Sequence, residues 1–244
     1  MRALVLAAGY ATRLYPLTLD TPKPLLPVAG RPLVEHVLEK LLAIEEIGAV
    51  DLVANSRFAA AFREWAAGYP RPVGIVDDGT TDDSNRRGAI GDVALVLEQR
   101  RIDDDVVVVA GDNLFSDSLE GFGRFASGRR APVLAVYDVG DLELVRQYNA
   151  IELDDSGRIT YFEEKPAEPR STLVGIALYF YPRETLPLIR RYVEEGRNPD
   201  QPGHLIEWLY PQVDVYTWRV PGLWYDIGSR EQLDEADRVF SAQT

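Results

Sequence analysis

Cysteine is absent from the sequence, which excludes disulfide staples, a thiolate nucleophile and cysteine-ligated zinc. That absence fits a reducing compartment. Histidine occurs only twice, as His36 and His204; the two lie far apart in the chain, so a histidine-built metal site is not expected. Net positive charge is also lacking. The formal charge of −13 argues against nucleic acid or an anionic membrane as partner. An anionic ligand would then need a few local cations. No apolar run approaches the roughly 20 residues of a membrane span. The opening "MRALVLAAGYA" imitates a secretory leader, but its apolar run falls short of the usual h-region of about 7–15 residues. The chain therefore reads as a cytoplasmic protein.

What is present is apolar bulk. With 46% hydrophobic residues over 244 positions, the chain can bury a large core and is not disordered. The first half alternates strand-like and helix-like segments: strands at 2–8, 50–55, 73–78, 105–113 and 131–139, and helices at 32–48, 57–68 and 89–101. Gly48 reads as the C-cap of the first helix. Continuous Val-rich strands separated by helices imply a parallel sheet covered on both faces. In such sheets ligands bind beyond the carboxyl ends of the strands. The second half changes style, with a hairpin at 150–166 turning at Ser-Gly, a strand at 173–182 followed by an amphipathic helix to about Gly196, a strand at 213–220 and a helix at 229–240. No Gly/Ser-rich linker divides the halves. The reading is one α/β domain over 1–244, in two halves of different style, 1–140 and 141–244.

The loop "GYATRLYPLTLDTPKPLLP" (9–27) follows the first strand. Gly9 allows tight backbone geometry, and successive amides there can form an anion nest. Thr12 adds a hydroxyl, Arg13 a planar fork suited to phosphate oxygens, and Lys23 a point charge. Pro16, Pro22 and Pro24 stiffen the loop and reduce the entropy lost on binding. On residues alone, a Pro-rich surface loop with solvated cations explains it equally well. Asp112, in "VVVVAGDN", is suited to Mg²⁺, although a strand-ending Asp-Asn turn is the plainer reading. A Glu-Lys pair such as Glu164-Lys165 is usually a surface ion pair, and a lone Trp224 usually core. Asp103, Asp104 and Asp105 read as a solvated turn. His36 reads as a helix residue beside the apolar stripe, and His204, between Gly203 and a helix, takes the ordinary reading too.

Taken together, these segments resemble the sugar-phosphate nucleotidyltransferases. Residues 9–27 are similar to that family's G-x-G-T-R-L-x-P-x-T-x4-K-P-x-L-P signature, with Ala11 in place of the second glycine. "GDN", "YFEEKP" and "LWYDIGS" follow in the family's order. The resemblance implies a Rossmann-like nucleotidyltransferase sandwich, with a mainly parallel central sheet and a smaller mixed β region on the substrate side. It implies that Leu6, Ala8, Gly9, Thr12, Arg13, Gly88 and Asp112 bind nucleotide, and that Asn149, Glu164, Lys165, Gly175 and Trp224 bind sugar phosphate. Asp112 and Asp226 become ligands of Mg²⁺, and Arg13, Lys23 and Lys165 the catalytic cations. Two further departures are Asn149 and Ala177, each where glycine is frequent. The loop "NRRGAIGD" (85–92) is also unusual for the family. A carboxy-terminal left-handed β-helix, carried by some members, is not expected.

The implied reaction joins a nucleoside triphosphate and a sugar 1-phosphate to give a nucleotide sugar and pyrophosphate, with dTTP or UTP and glucose 1-phosphate as the specific expectation. Cytidylyl or guanylyl transfer to another phosphorylated acceptor is compatible. A catalytically silent nucleotide-sugar-binding regulator and a glycosyltransferase sharing the sheet are alternatives from other classes. Expected partners are the two substrates, with neither nucleic acid nor membrane; homo-oligomerisation is left open.

Overall fold

A computed structural model describes residues 1–242. The chain forms two compact units that share it in alternation: Met1–Arg87, Val109–Gly121 and Pro221 onward make the first, and Gly88–Val108 with Phe122–Val220 the second. The main sheet has seven strands, three in each unit and one, Val106–Ala110, whose residues divide between them. No helix among the described residues is long and apolar enough to cross a membrane.

In the first unit, strands Arg2–Leu6, Ala49–Ala54 and Val73–Asp77 run parallel, Leu4 opposite Asp51 and Leu52 opposite Ile75. Helices Leu33–Leu41 and Ala59–Gly68 connect them. The first helix is shorter than its apolar spacing predicts. It ends at Leu41, after which Ile44 and Ile47 turn inward on three-residue bonds (Ile44 N to Leu41 O, 3.1 Å; Ile47 N to Ile44 O, 3.1 Å). Those turns keep both isoleucines buried at near-helical spacing, which is why the pattern imitates a longer helix. Gly48 caps no helix; its N–H donates to the Met1 carbonyl.

The run expected as one strand at 105–113 is two. Val106–Ala110 stops, Gly111-Asp112 intervenes, and Asn113–Phe115 pairs antiparallel with Trp224–Asp226, Asn113 opposite Asp226. A core of Leu14, Leu26, Val28, Leu33, Leu114, Ile227, Leu233, Ala236 and Phe240 lies beneath these segments. The proline-rich loop is thus anchored by the buried apolar residues Leu14 and Leu26, while Thr12, Arg13 and Asp20 remain exposed.

In the second unit, Leu173–Tyr181 runs antiparallel to Val133–Asp138, and Tyr216–Arg219 parallel to it. That antiparallel pairing leaves the sheet mainly parallel, as expected. The hairpin Asn149–Leu153 and Ile159–Glu164 is present, closed where Asp154 accepts from Ser156 and Arg158 and Gly157 takes φ +79°. Helix Ala89–Gln99 ends two residues earlier than expected. Arg101 there is left-handed, with Ile102 N bonded to Leu97 O at 3.0 Å and Ile102 buried. Helix Glu120–Ser127 is not expected from the sequence pattern, and the helix expected after His204 begins earlier, as Pro202–Leu209. Asp103 pairs with Arg183 and Asp105 accepts its N–H, so the triple-Asp turn, exposed at Asp103 and Asp104 as expected, also holds the start of the 3₁₀ turn Arg183–Thr185.

Candidate active site

The loop after the first strand is built from the backbone outward. Leu6 O accepts from Gly111 N at 2.8 Å, and Ala8 O from the Asn55 carboxamide at 2.9 Å. Asn55 is fully buried at the end of its strand and also receives Phe58 N. Ala11 adopts the left-handed conformation (φ 48°, ψ 42°). That is the geometry a glycine supplies without strain, so the substitution at Ala11 retains the loop's path at some cost. The Ala11 carbonyl receives Thr18 Oγ1 at 2.8 Å and Leu14 N at 3.0 Å, and Thr18 is buried. Tyr10 is buried too, its hydroxyl 2.9 Å from Thr80 Oγ1. Because the Thr80 hydroxyl donates to Asp78 (2.8 Å), Tyr10 is the donor in that pair. Burial pushes the Asp78 carboxyl above its usual range, against two hydrogen bonds from Thr80 and the charge of Arg87. Asn55, Thr18 and Tyr10 were not singled out from sequence; a buried polar residue ending an apolar strand was the one available hint, at Asn55.

Lys23 opens a 3₁₀ turn, Lys23–Leu25, with Pro24 behind it. Its ammonium pairs with Asp112 and donates to the Ile227 carbonyl at 2.6 Å. Gly111 permits this approach. A methyl group there would lie 3.1 Å from Leu6 O and 3.3 Å from Pro24 Cγ. Asp226 belongs to the same group. Burial, and then the Asp112 charge, push its carboxyl up to about 6, while Lys23 and Arg13 pull it down. The ladder that sets Asn113 opposite Asp226 explains how residues more than a hundred positions apart come together. Trp224, three residues before Ile227, donates its indole N–H to the buried Asn113 at 2.6 Å. Gly9, Thr12 and Arg13 are exposed on the loop.

Among the described residues no cluster of three or more His, Cys, Asp or Glu could hold a metal by itself. Asp112 and Asp226 offer two carboxylates. His36 is spoken for: one ring nitrogen is 2.7 Å from Val28 O and the other 3.2 Å from Arg31 Nη2, and burial pushes its pKa down. It is a neutral structural residue.

The remaining predicted residues lie in the second unit. Tyr148 O accepts Lys165 N at 2.8 Å, and Lys165 itself has φ +50°. The Asn149 carboxamide pairs with the Gly175 backbone in both directions, at 2.6 and 2.9 Å. Asn149, Lys165 and Gly175 are thus organised through the two-residue stretch Tyr148-Asn149. Glu164 ends the hairpin and its carboxyl packs against Gly203. Burial pushes its carboxyl up to about 7, against the nearby Lys165 and assisted by Glu207. His204 sits in helix Pro202–Leu209 with Nδ1 3.4 Å from Glu207. Gly88 (φ +81°) opens helix Ala89–Gln99, and a methyl group on it would come within 2.6 Å of Pro199 O. Ile90 N donates to that same carbonyl at 2.9 Å.

The chain as a whole is similar to proteins of known kind. The chain is 30% identical, over 98% of its length, to a glucose-1-phosphate thymidylyltransferase of Streptomyces antibioticus. It is 28% identical, over all of its length and 98% of the relative's, to the UTP–glucose-1-phosphate uridylyltransferase AglF of Haloferax volcanii. Two of the curated relatives it matches are longer: the chain spans 54% of one and 66% of the other. In fold it is similar to a crystal structure of UDP-glucose pyrophosphorylase complexed with UDP-glucose, with a TM-score of 0.84 at 20% identity, covering 100% of this chain and 99% of that one. The nucleotidyl transferase family model matches residues 2–242, and the chain belongs to that family.

Proposed function

We propose that this chain transfers a nucleotidyl group from a nucleoside triphosphate to a sugar 1-phosphate, releasing pyrophosphate. The observation that carries the reading is the grouping of Lys23, Asp112 and Asp226, with the Arg13 charge acting on it, on segments fixed by one apolar core. Two cations beside two carboxylates suit a polyphosphate and a hard divalent cation together.

The donor chemistry fits Mg²⁺. Both ligands are carboxylates, and one is driven up by burial and by the other's charge, a cost a cation would remove. Mg²⁺ usually takes only one or two protein carboxylates and completes its shell with phosphate oxygens and water. Bound there, it would neutralise charge developing on the phosphate oxygens. The rest of the chemistry falls to the chain. The nucleophile is a phosphate oxygen, largely ionised at neutral pH because its second pKa is near 6. No side chain must remove a proton, which agrees with a neutral, occupied His36. Arg13 and Lys23 would hold the triphosphate, and Lys165 the acceptor phosphate, so that catalysis rests on positioning and charge neutralisation. Glu164 would accept from sugar hydroxyls.

Within this class we read dTTP or UTP with glucose 1-phosphate as the substrates, supported by the names of the Streptomyces and Haloferax relatives. The test is pyrophosphate release with Mg²⁺ and glucose 1-phosphate across dTTP, UTP, CTP, GTP and ATP. Release with dTTP or UTP that depends on the sugar phosphate is expected. Release with CTP or GTP alone would overturn the base assignment, and none with any of the five would overturn the glucose 1-phosphate assignment.

A further inference from the structure

Helix Pro202–Leu209 begins Pro-Gly-His. Proline is favourable in the first turn, where its missing N–H costs nothing. Glycine is not, since it carries the largest backbone entropy loss and among the lowest helix propensities. Gly203 is buried, and its φ lies in the ordinary range, so the backbone does not require a glycine there. Space does. A methyl group on Gly203 would overlap Glu164 Oε2 outright, would press on the carboxyl carbon at 2.8 Å, and would lie 3.3 Å from Phe162 Cζ. The carboxylate therefore rests on the bare Cα of Gly203, between the end of the hairpin and the start of the helix.

We infer that Gly203 is a positioning residue for Glu164: its missing side chain is the seat that holds the Glu164 carboxylate where a sugar hydroxyl can be bound. The inference rests on the proposed reaction, in which Glu164 is a sugar ligand. Three features support it. Among the described residues the Glu164 carboxyl takes no side-chain hydrogen bond, and its close packing is against Gly203. The charged neighbours are Lys165 and Glu207, and Glu207 is turned to His204 (3.4 Å). The overlapping atom is the far end of a flexible side chain, so an added methyl displaces the carboxylate and leaves the backbone where it is.

The experiment is steady-state kinetics on Gly203→Ala, with glucose 1-phosphate varied at saturating nucleotide and the reverse. The KM for glucose 1-phosphate should rise about fivefold or more, and the KM for the nucleotide should stay within about twofold, since the seat serves one substrate only. Shortening the acid by Glu164→Asp in the Gly203→Ala background should recover part of the loss. Gly203→Ala placed in a Glu164→Ala background should cost nothing further, because there is no carboxylate left to displace. This double variant also decides the matter if the single one folds poorly. An unchanged KM for glucose 1-phosphate, equal rises for both substrates, or a further rise in the Glu164→Ala background would overturn the inference. A wild-type chain that turns over no sugar phosphate would instead overturn the functional reading on which it depends.

Discussion

Lys165 and Ala11 both hold left-handed backbone, at φ +50° and +48°. A residue with a Cβ is about 1–2 kcal/mol worse there than in its favoured regions. At Ala11 the strain is offset locally: its carbonyl takes two hydrogen bonds, and the apolar core fixes the loop beyond it. At Lys165 the N–H is held by Tyr148 O and the next residue is the buried Pro166. Strain at a residue proposed to contact phosphate separates stability from activity. Lys165→Gly should unfold at a higher urea concentration than Lys165→Ala, by about 0.5–1 kcal/mol after glycine's own entropy cost, while both lose activity alike. Equal stabilities would show the backbone is relaxed at 165. The two positions differ in how far sequence exposed them. Ala11 stands where the signature carries glycine, so its need for positive φ could be anticipated. Lys165 is the third residue of Glu-Glu-Lys-Pro, a run that reads as charged surface, and nothing in it announces a left-handed turn.

At the level of elements, periodicity served where one face packs on a core and failed where short pieces meet by tertiary pairing. Leu33, Val34, Val37, Leu38 and Leu41 are all buried, as their spacing requires. The three-residue strands Asn113–Phe115 and Trp224–Asp226 are too short for any period to register, and their pairing spans more than a hundred residues. Yet that ladder is what joins the two carboxylates. Asn149 shows the same limit from the other side. It looked like a departure from glycine in a substrate loop, whereas its carboxamide serves as an extra ladder rung to Gly175. Asn149→Ala would leave a buried N–H and C=O of Gly175 without those partners, and each such unmet group costs about 1–3 kcal/mol. Urea unfolding should show a loss of that order. A change below about 0.5 kcal/mol would mean that the rung is replaceable by water.

Across the whole molecule, the chain divides its residues between two units in five alternating segments, with one change of unit falling inside the strand Val106–Ala110. Such a chain needs no linker, which is why composition gave no break to read. Protonation is likewise shared over the molecule, and the groups pull in opposite directions. Hydrogen bonds and Arg63 hold Asp77 low, and hydrogen bonds hold Asp138 low; both therefore lend stability above about pH 4 that is lost on acidification. His36, held low by burial, lends stability above about 6.5 that is lost as pH falls. Glu164 acts the other way. Its folded carboxyl, at about 7, binds a proton more tightly than the unfolded one, near 4.3. Its contribution is complete below about pH 4.3 and disappears as pH rises through 7, a change on the order of 3–4 kcal/mol. Glu164→Gln cannot titrate, and every other group is common to both proteins. The difference in unfolding free energy between wild type and Glu164→Gln should therefore move against the wild type between about pH 4.5 and about pH 8, and be flat outside that window. Urea titrations of both proteins across the range measure it. A flat difference throughout would mean that Glu164 remains an ordinary solvated carboxylate, and burial beside Gly203 would no longer describe it.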